Sequence, residues 1–231
     1  MNRDFFEKKT YGKQNKRIIF LLGGWASKQW MYWPVSRLFE CAGFRCITYT
    51  FGTKFLTPNI PKTVTRIQLV KHSITSSILK LKSKGYKDFS IFGTSLGSLI
   101  SLLVTDDSIH IRKVIFNTPG IDFAESLWKW DTVFPQFKQE LVKRYKTLDA
   151  LKKEVETINP PKHLKNLRKK DILVYISAND EIVECPEKTL KKIFKEKKIN
   201  FKLNVNHSYG HVATSILNLI NAPEYLRFLN N

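Results

Sequence analysis

The chain has 231 residues, 42% of them hydrophobic, with 39 Lys and Arg against 20 Asp and Glu and a formal net charge of +19. That length supports one substantial core and is too short for two ordinary domains plus linkers, so a single domain over residues 1–231 is expected. No stretch has the length and apolarity of a transmembrane helix, and residues 1–9 carry charges on both sides of Phe5 and Phe6 with no apolar h-region, so neither a membrane span nor a secretory signal is expected.

Cys41, Cys46 and Cys185 form neither a metal-type pair nor an even disulfide set, which fits a reducing cytoplasm and gives no support to cysteine catalysis. Lys188, Lys191, Lys192, Lys195, Lys197 and Lys198 read as a solvated helix face. With no aromatic box of the RNA-binding type, no zinc-finger spacing and no basic tail, nucleic acid is not an expected partner.

Residues 1–15 are polar and read as a lead-in with room for one edge strand. Residues 17–22 (RIIFLL) are a continuous apolar run, typical of a strand buried on both faces. A glycine-led loop, Gly23-Gly24-Trp25-Ala26-Ser27, follows, then helical spacing over 30–42 ending at Gly43. A second strand is predicted over 45–50, and a loop with Pro58 and Pro61 leads to a helix over 64–84 closed by Gly85. Residues 89–92, 96–104 and 113–117 read as strand, helix and strand. Alternating β and α segments argue for a doubly wound, mostly parallel sheet.

Between 118 and 170 the β-type runs stop. Residues 121–167 are aromatic and lysine-rich at helical spacing, which predicts an inserted helical lid. A strand resumes over 171–176, then a helix over 186–198, a strand near 201–205 and a last helix from 212.

The chemistry centres on Gly93-Thr94-Ser95-Leu96-Gly97. In a Gly-x-Ser-x-Gly turn between strand and helix the serine is forced into a strained conformation, and the residues two before and two after must be small for the two elements to approach. The turn exposes the Ser95 hydroxyl and leaves the Leu96 N–H at a helix N-terminus, where a developing oxyanion is stabilised. Ser95 is the candidate nucleophile.

A nucleophilic serine needs a base and an acid that orients it, which in such a sheet arrive on loops after later strands in the order serine, acid, histidine. Asp180 follows the run ending at Ile176, with Asp122 as its rival after the fourth strand. His211 follows the run ending at Val205, with His207 as its rival in the same loop. The loop after the first buried strand nominates the Trp25 N–H as the second oxyanion donor. Trp30, Phe123 and Trp128, together with Trp33 and Phe134, are candidates for the wall of an apolar acyl site.

These residues resemble the α/β-hydrolase superfamily. The Gly93–Gly97 stretch is similar to its nucleophile elbow, Asp180 and His211 to its acid and base stations, and Gly23-Gly24-Trp25 to its oxyanion loop, over about residues 16–222. Gly23 stands where the family often has histidine, and the short lead-in implies trimmed N-terminal strands. The resemblance implies a helical lid after the fourth strand.

The expected activity is a cytoplasmic serine esterase acting on carboxylic esters or thioesters through a Ser-His-Asp triad, with no metal or organic cofactor. Lys138, Lys143, Arg144, Lys146, Lys152 and Lys153, set among aromatics in the lid segment, also suit acyl groups carried by an acidic acyl carrier protein or an anionic lipid. The alternative from another class is a non-catalytic binding module on the same fold.

Overall fold

The computed structural model describes residues 5–131 and 133–231, so residues 1–4 of the predicted lead-in lie outside it. Among the described residues seven strands form one sheet: β1 (Phe6–Tyr11), β2 (Arg17–Trp25), β3 (Phe44–Phe51), β4 (Phe89–Thr94), β5 (Ile111–Asn117), β6 (Asp171–Ser177) and β7 (Lys202–Asn206), in the order β1-β3-β2-β4-β5-β6-β7. All neighbours are parallel except β1, which runs antiparallel to β3 with Phe6 opposite Phe51 and Tyr11 opposite Cys46. This is the mostly parallel, doubly wound sheet that the alternating pattern predicts. The lead-in supplies one edge strand, whose Glu7, Lys8 and Lys9 face solvent, a charged edge that discourages strand-to-strand association.

Helices cover both faces. On one, α1 (Gln29–Cys41) and α9 (Ala222–Asn230) pack Phe39, Tyr225 and Leu229 against Ile19, Leu21, Phe92 and Leu173 of the sheet. On the other, α2 (Ile60–Ser83) and α3 (Leu96–Asp107) pack against Phe20, Leu22, Ile91 and Val114. The central strands read as unbroken apolar runs because both of their faces are buried.

Several boundaries differ from the sequence reading. Strand β2 runs on through Gly23-Gly24-Trp25, read from the sequence as a loop, because Trp25 still pairs with Phe51 of β3 after a register shift beyond Leu22. Helix α2 starts at Ile60, because Asn59 caps it by accepting the Lys62 N–H at 3.3 Å and Pro61 sits in its first turn, where the missing N–H has no partner to lose. The C-terminal segment is two helices, α8 (His211–Ile220) and α9, separated at Asn221 because Pro223 cannot continue the α8 ladder.

The insertion between β5 and β6 holds α4 (Phe123–Trp128), α5 (Pro135–Tyr145) and α6 (Leu148–Glu154), then short 3-10 turns up to Lys169; α7 (Glu187–Glu196) joins β6 to β7. Its basic cluster is not all surface charge. Lys138 is buried, with its amine bonded to the Trp128 carbonyl and 4.0 Å from the centre of the Trp128 ring. Burial holds its pKa below the ordinary lysine range. Lys143, though exposed, pairs with Glu140 at 2.9 Å and Lys152 with Glu125 at 2.6 Å; Arg144, Lys146 and Lys153 are exposed as well. Among the described residues no helix is long and apolar enough to cross a membrane.

Candidate active site

Ser95 occupies the turn between β4 and α3 at φ 52°, ψ −116°, a left-handed conformation costly for a residue with a Cβ. Its neighbours show why they are glycine. A Cβ on Gly93 would lie 2.3 Å from the Gly97 carbonyl oxygen, and one on Gly97 would lie 2.3 Å from that of Leu22. The close crossing of α3 over the ends of β2 and β4 therefore holds the Ser95 hydroxyl above the carboxyl edge of the sheet. The Ser95 N–H donates to the Asn117 carbonyl at 2.8 Å, tying the turn to β5.

His211 begins α8 just past β7. Its Nε2 lies 2.9 Å from Ser95 Oγ and its Nδ1 lies 2.7 Å from Asp180 Oδ2. The imidazole and carboxylate side chains are each only 6% exposed, so this series is largely shielded from water. Asp180, in the loop after β6, is fixed through its other oxygen: Oδ1 accepts the N–H groups of Ile182 at 3.0 Å and Val183 at 2.8 Å. One carboxylate oxygen orients the loop and the other orients the imidazole.

The rival positions have other work. Asp122 caps α4, accepting the Glu125 N–H at 2.9 Å and the Asn159 amide at 3.4 Å. The exposed His207 offers its carbonyl to the Asn179 side chain at 2.8 Å.

Three supports escaped sequence reading because each is a specific contact between elements that only the folded arrangement brings together. Glu181 Oε2 accepts the backbone N–H of His211 at 3.0 Å, capping α8 from a separate loop; Gly210 clears the way, since a Cβ there would lie 2.4 Å from that oxygen. Buried polar groups fasten α8 to β5: Asn117 Nδ2 donates to the Ser215 carbonyl at 3.0 Å, Asn218 donates to Asn117 Oδ1 at 2.8 Å, and the Thr118 and Ser215 hydroxyls lie 2.6 Å apart. At the carboxyl end of β2 the Gly24 N–H donates to the Tyr32 hydroxyl at 3.1 Å, and Gly24 lies directly beside Ser95. Burial pushes the Tyr32 phenol pKa up, which keeps it a neutral hydroxyl.

A cavity of about 840 Å³ opens on Ser95 and His211. Its wall includes Trp25 and Trp30, with Phe123, Trp130 and Phe134 from the insertion. The Trp25 ring stacks on Trp130 at 5.3 Å and meets Phe134 edge-on at 4.8 Å, while its indole N–H donates to the Thr53 carbonyl at 2.9 Å. Trp128 is not part of that wall and instead lies beneath the Lys138 amine. Trp33 is also outside the wall, on the solvent side of α1 at 53% exposure.

No protein family and no curated protein matches this sequence. Solved structures do match in shape. The Pyrococcus furiosus esterase Pf2001 aligns over 97% of this chain and 86% of its own, at 17% identity and a TM-score of 0.69. An esterase from Exiguobacterium antarcticum aligns over 98% of this chain and 96% of its own, at 13% identity and a TM-score of 0.62. This chain has the α/β-hydrolase fold. A Paleococcus ferrophilus monoacylglycerol lipase matches at 15% identity over 96% of this chain and 98% of its own, with a TM-score of 0.59. The α/β-hydrolase fold thus extends over nearly the whole chain, at identities where only the backbone architecture carries over.

Proposed function

We propose that this chain is a serine hydrolase of carboxylic esters, with thioesters in the same reaction class. The observation that carries the reading is the unbroken series from Ser95 Oγ through His211 to Asp180, opening on an apolar cavity.

In this reading His211 Nε2 takes the Ser95 proton as Oγ attacks the acyl carbon. The Asp180 carboxylate, accepting from Nδ1–H, holds the required tautomer and stabilises the imidazolium. The Leu96 N–H at the start of α3 and the Trp25 N–H beside Gly24 stabilise the tetrahedral oxyanion. Collapse expels the alcohol or thiol with the proton from His211 and leaves an acyl-Ser95 ester. Water, deprotonated by His211, attacks that ester in turn and regenerates the free serine.

The apolar wall built by Trp25, Trp130 and Phe134 suits a hydrocarbon acyl group, and the insertion that contributes two of these rings acts as the lid. Cys41, Cys46 and Cys185 are all free thiols, in keeping with a reducing cytoplasm. A non-catalytic binding module would leave the aligned hydroxyl, imidazole and carboxylate without a purpose.

A panel of p-nitrophenyl esters of increasing acyl length, run on wild type and Ser95→Ala, tests the reading. Wild type should hydrolyse the panel, and Ser95→Ala should lose about a thousandfold or more in kcat. A variant within tenfold of wild type on every ester would refute it.

A further inference from the structure

Helix α8 is amphipathic in the inverted sense. Its inward face carries His211, Thr214 and Ser215, all buried, with Asn218 half-buried beside them. Its outward face is hydrocarbon: Val212 is 56% exposed, Ile216 49%, Leu217 37% and Ile220 69%. The ten residues of α8 include no charged side chain apart from what His211 can carry. A helix on a globular protein ordinarily turns its apolar stripe to the core, so an apolar face left in solvent calls for an occupant.

The same holds across the cavity mouth. The start of α1 exposes Trp30 at 72%, Met31 at 44% and Trp33 at 53%. Trp30, Met31, Val212, Ile216 and Ile220 belong to the cavity wall as well, so the two exposed faces flank the opening that leads down to Ser95. Carboxylates on the neighbouring elements are engaged: Glu181 with the His211 N–H, Glu224 with Lys202 and the Tyr175 hydroxyl, and Glu40, at the far end of α1, with Arg37 and the Gly12 N–H.

We infer that this α1/α8 face seats on an anionic lipid surface, so that acyl esters reach Ser95 from the lipid phase. Charge selects the occupant. Pairing two copies through this face would bring together two bodies each of formal charge +19, whereas a bilayer rich in acidic headgroups attracts that charge and accepts the apolar side chains. Exposed tryptophans beside a charge-free apolar helix face are the composition of an interfacial anchor. The inference rests on the ester-hydrolase reading only for what the docking delivers; the docking itself needs no catalysis.

The test uses sedimentation with vesicles of phosphatidylcholine alone or mixed equally with phosphatidylglycerol. Ser95→Ala protein should bind the mixed vesicles at least tenfold more tightly than the neutral ones. Trp33→Asp combined with Leu217→Asp, at two positions outside the cavity wall, should weaken that binding at least tenfold while leaving hydrolysis of a short soluble ester unchanged. Equal binding to both vesicle types, or full binding by the double variant, would overturn the proposal. So would a stable dimer in solution that Leu217→Asp dissociates, or protection of the face by an acidic carrier protein with no vesicle binding. Failure of the ester-hydrolase reading is separate: it shows as absent turnover of soluble esters, whatever the vesicles bind.

Discussion

Replacing Asp180 by asparagine probes the triad without changing its shape. In wild type, Oδ1 accepts two backbone N–H groups, from Ile182 and Val183, while Oδ2 faces His211 Nδ1 at 2.7 Å. An asparagine must place its carbonyl oxygen where Oδ1 was, because an NH2 there would confront two donors. Its NH2 then points at His211 Nδ1, which must become an acceptor, and the ring proton moves to Nε2, facing Ser95 Oγ. In that tautomer the imidazole cannot take the serine proton. The analogous change in a serine protease lowers kcat about 10⁴-fold, equivalent to about 5.5 kcal/mol of transition-state stabilisation. Asp180→Asn should therefore lose about four orders of magnitude in kcat on a p-nitrophenyl ester, with KM little changed because Asp180 is not part of the cavity wall. Melting followed by circular dichroism should show a folded protein. Activity within tenfold of wild type would refute the account of how the base is oriented.

Glu181→Ala removes the cap on the His211 N–H and should cost about 1 kcal/mol of stability with a several-fold drop in kcat, while Glu181→Gln restores most of both, as melting and initial rates would reveal. Gly97→Ala drives a methyl group to 2.3 Å from the Leu22 carbonyl oxygen, so it should cost about 1–3 kcal/mol and, by lifting α3, reduce kcat disproportionately. Tyr32→Phe strands the Gly24 N–H and should lower kcat, with about 1–3 kcal/mol lost by the loop beside Ser95, measurable as a rate loss at unchanged fold. In thiol titration with a disulfide reagent at pH 8, Cys41 should react at once. Burial pushes Cys46 and Cys185 up to about 12, so they should respond only after denaturation; prompt reaction of all three would contradict the packing.

Much of the fold is legible in the sequence because parallel strands buried on both faces write themselves as apolar runs, as in β2 and β4. The elbow is legible for a steric reason: Gly93 and Gly97 are demanded by contacts under 2.5 Å that permit no side chain. Asp180 and His211 can be nominated from their stations after β6 and β7, because chain order alone puts those loops at the carboxyl edge near Ser95. What stays hidden depends on tertiary proximity. Glu181 looks like a redundant neighbour of Asp180 until Gly210 is seen making room for its carboxylate. Lys138 resembles its exposed neighbours in sequence but folds inward over Trp128, and Trp128 faces that amine rather than the cavity. The start of α2 is concealed by Pro58 and Pro61, which suggest a loop when only Asn59 reveals a cap. The inverted polarity of α8 is present in its sequence as a period, but only the position of the sheet says which side faces in.

The central claim is that Ser95 is a hydroxyl made nucleophilic by His211 and Asp180. Titration with a fluorophosphonate, followed by intact mass and peptide mapping, measures that directly. The account predicts one adduct per chain, located on Ser95, formed slowly by Asp180→Asn and absent from Ser95→Ala. Folded wild-type protein that takes up no label, or a Ser95→Ala protein labelled as fast as wild type, would contradict it.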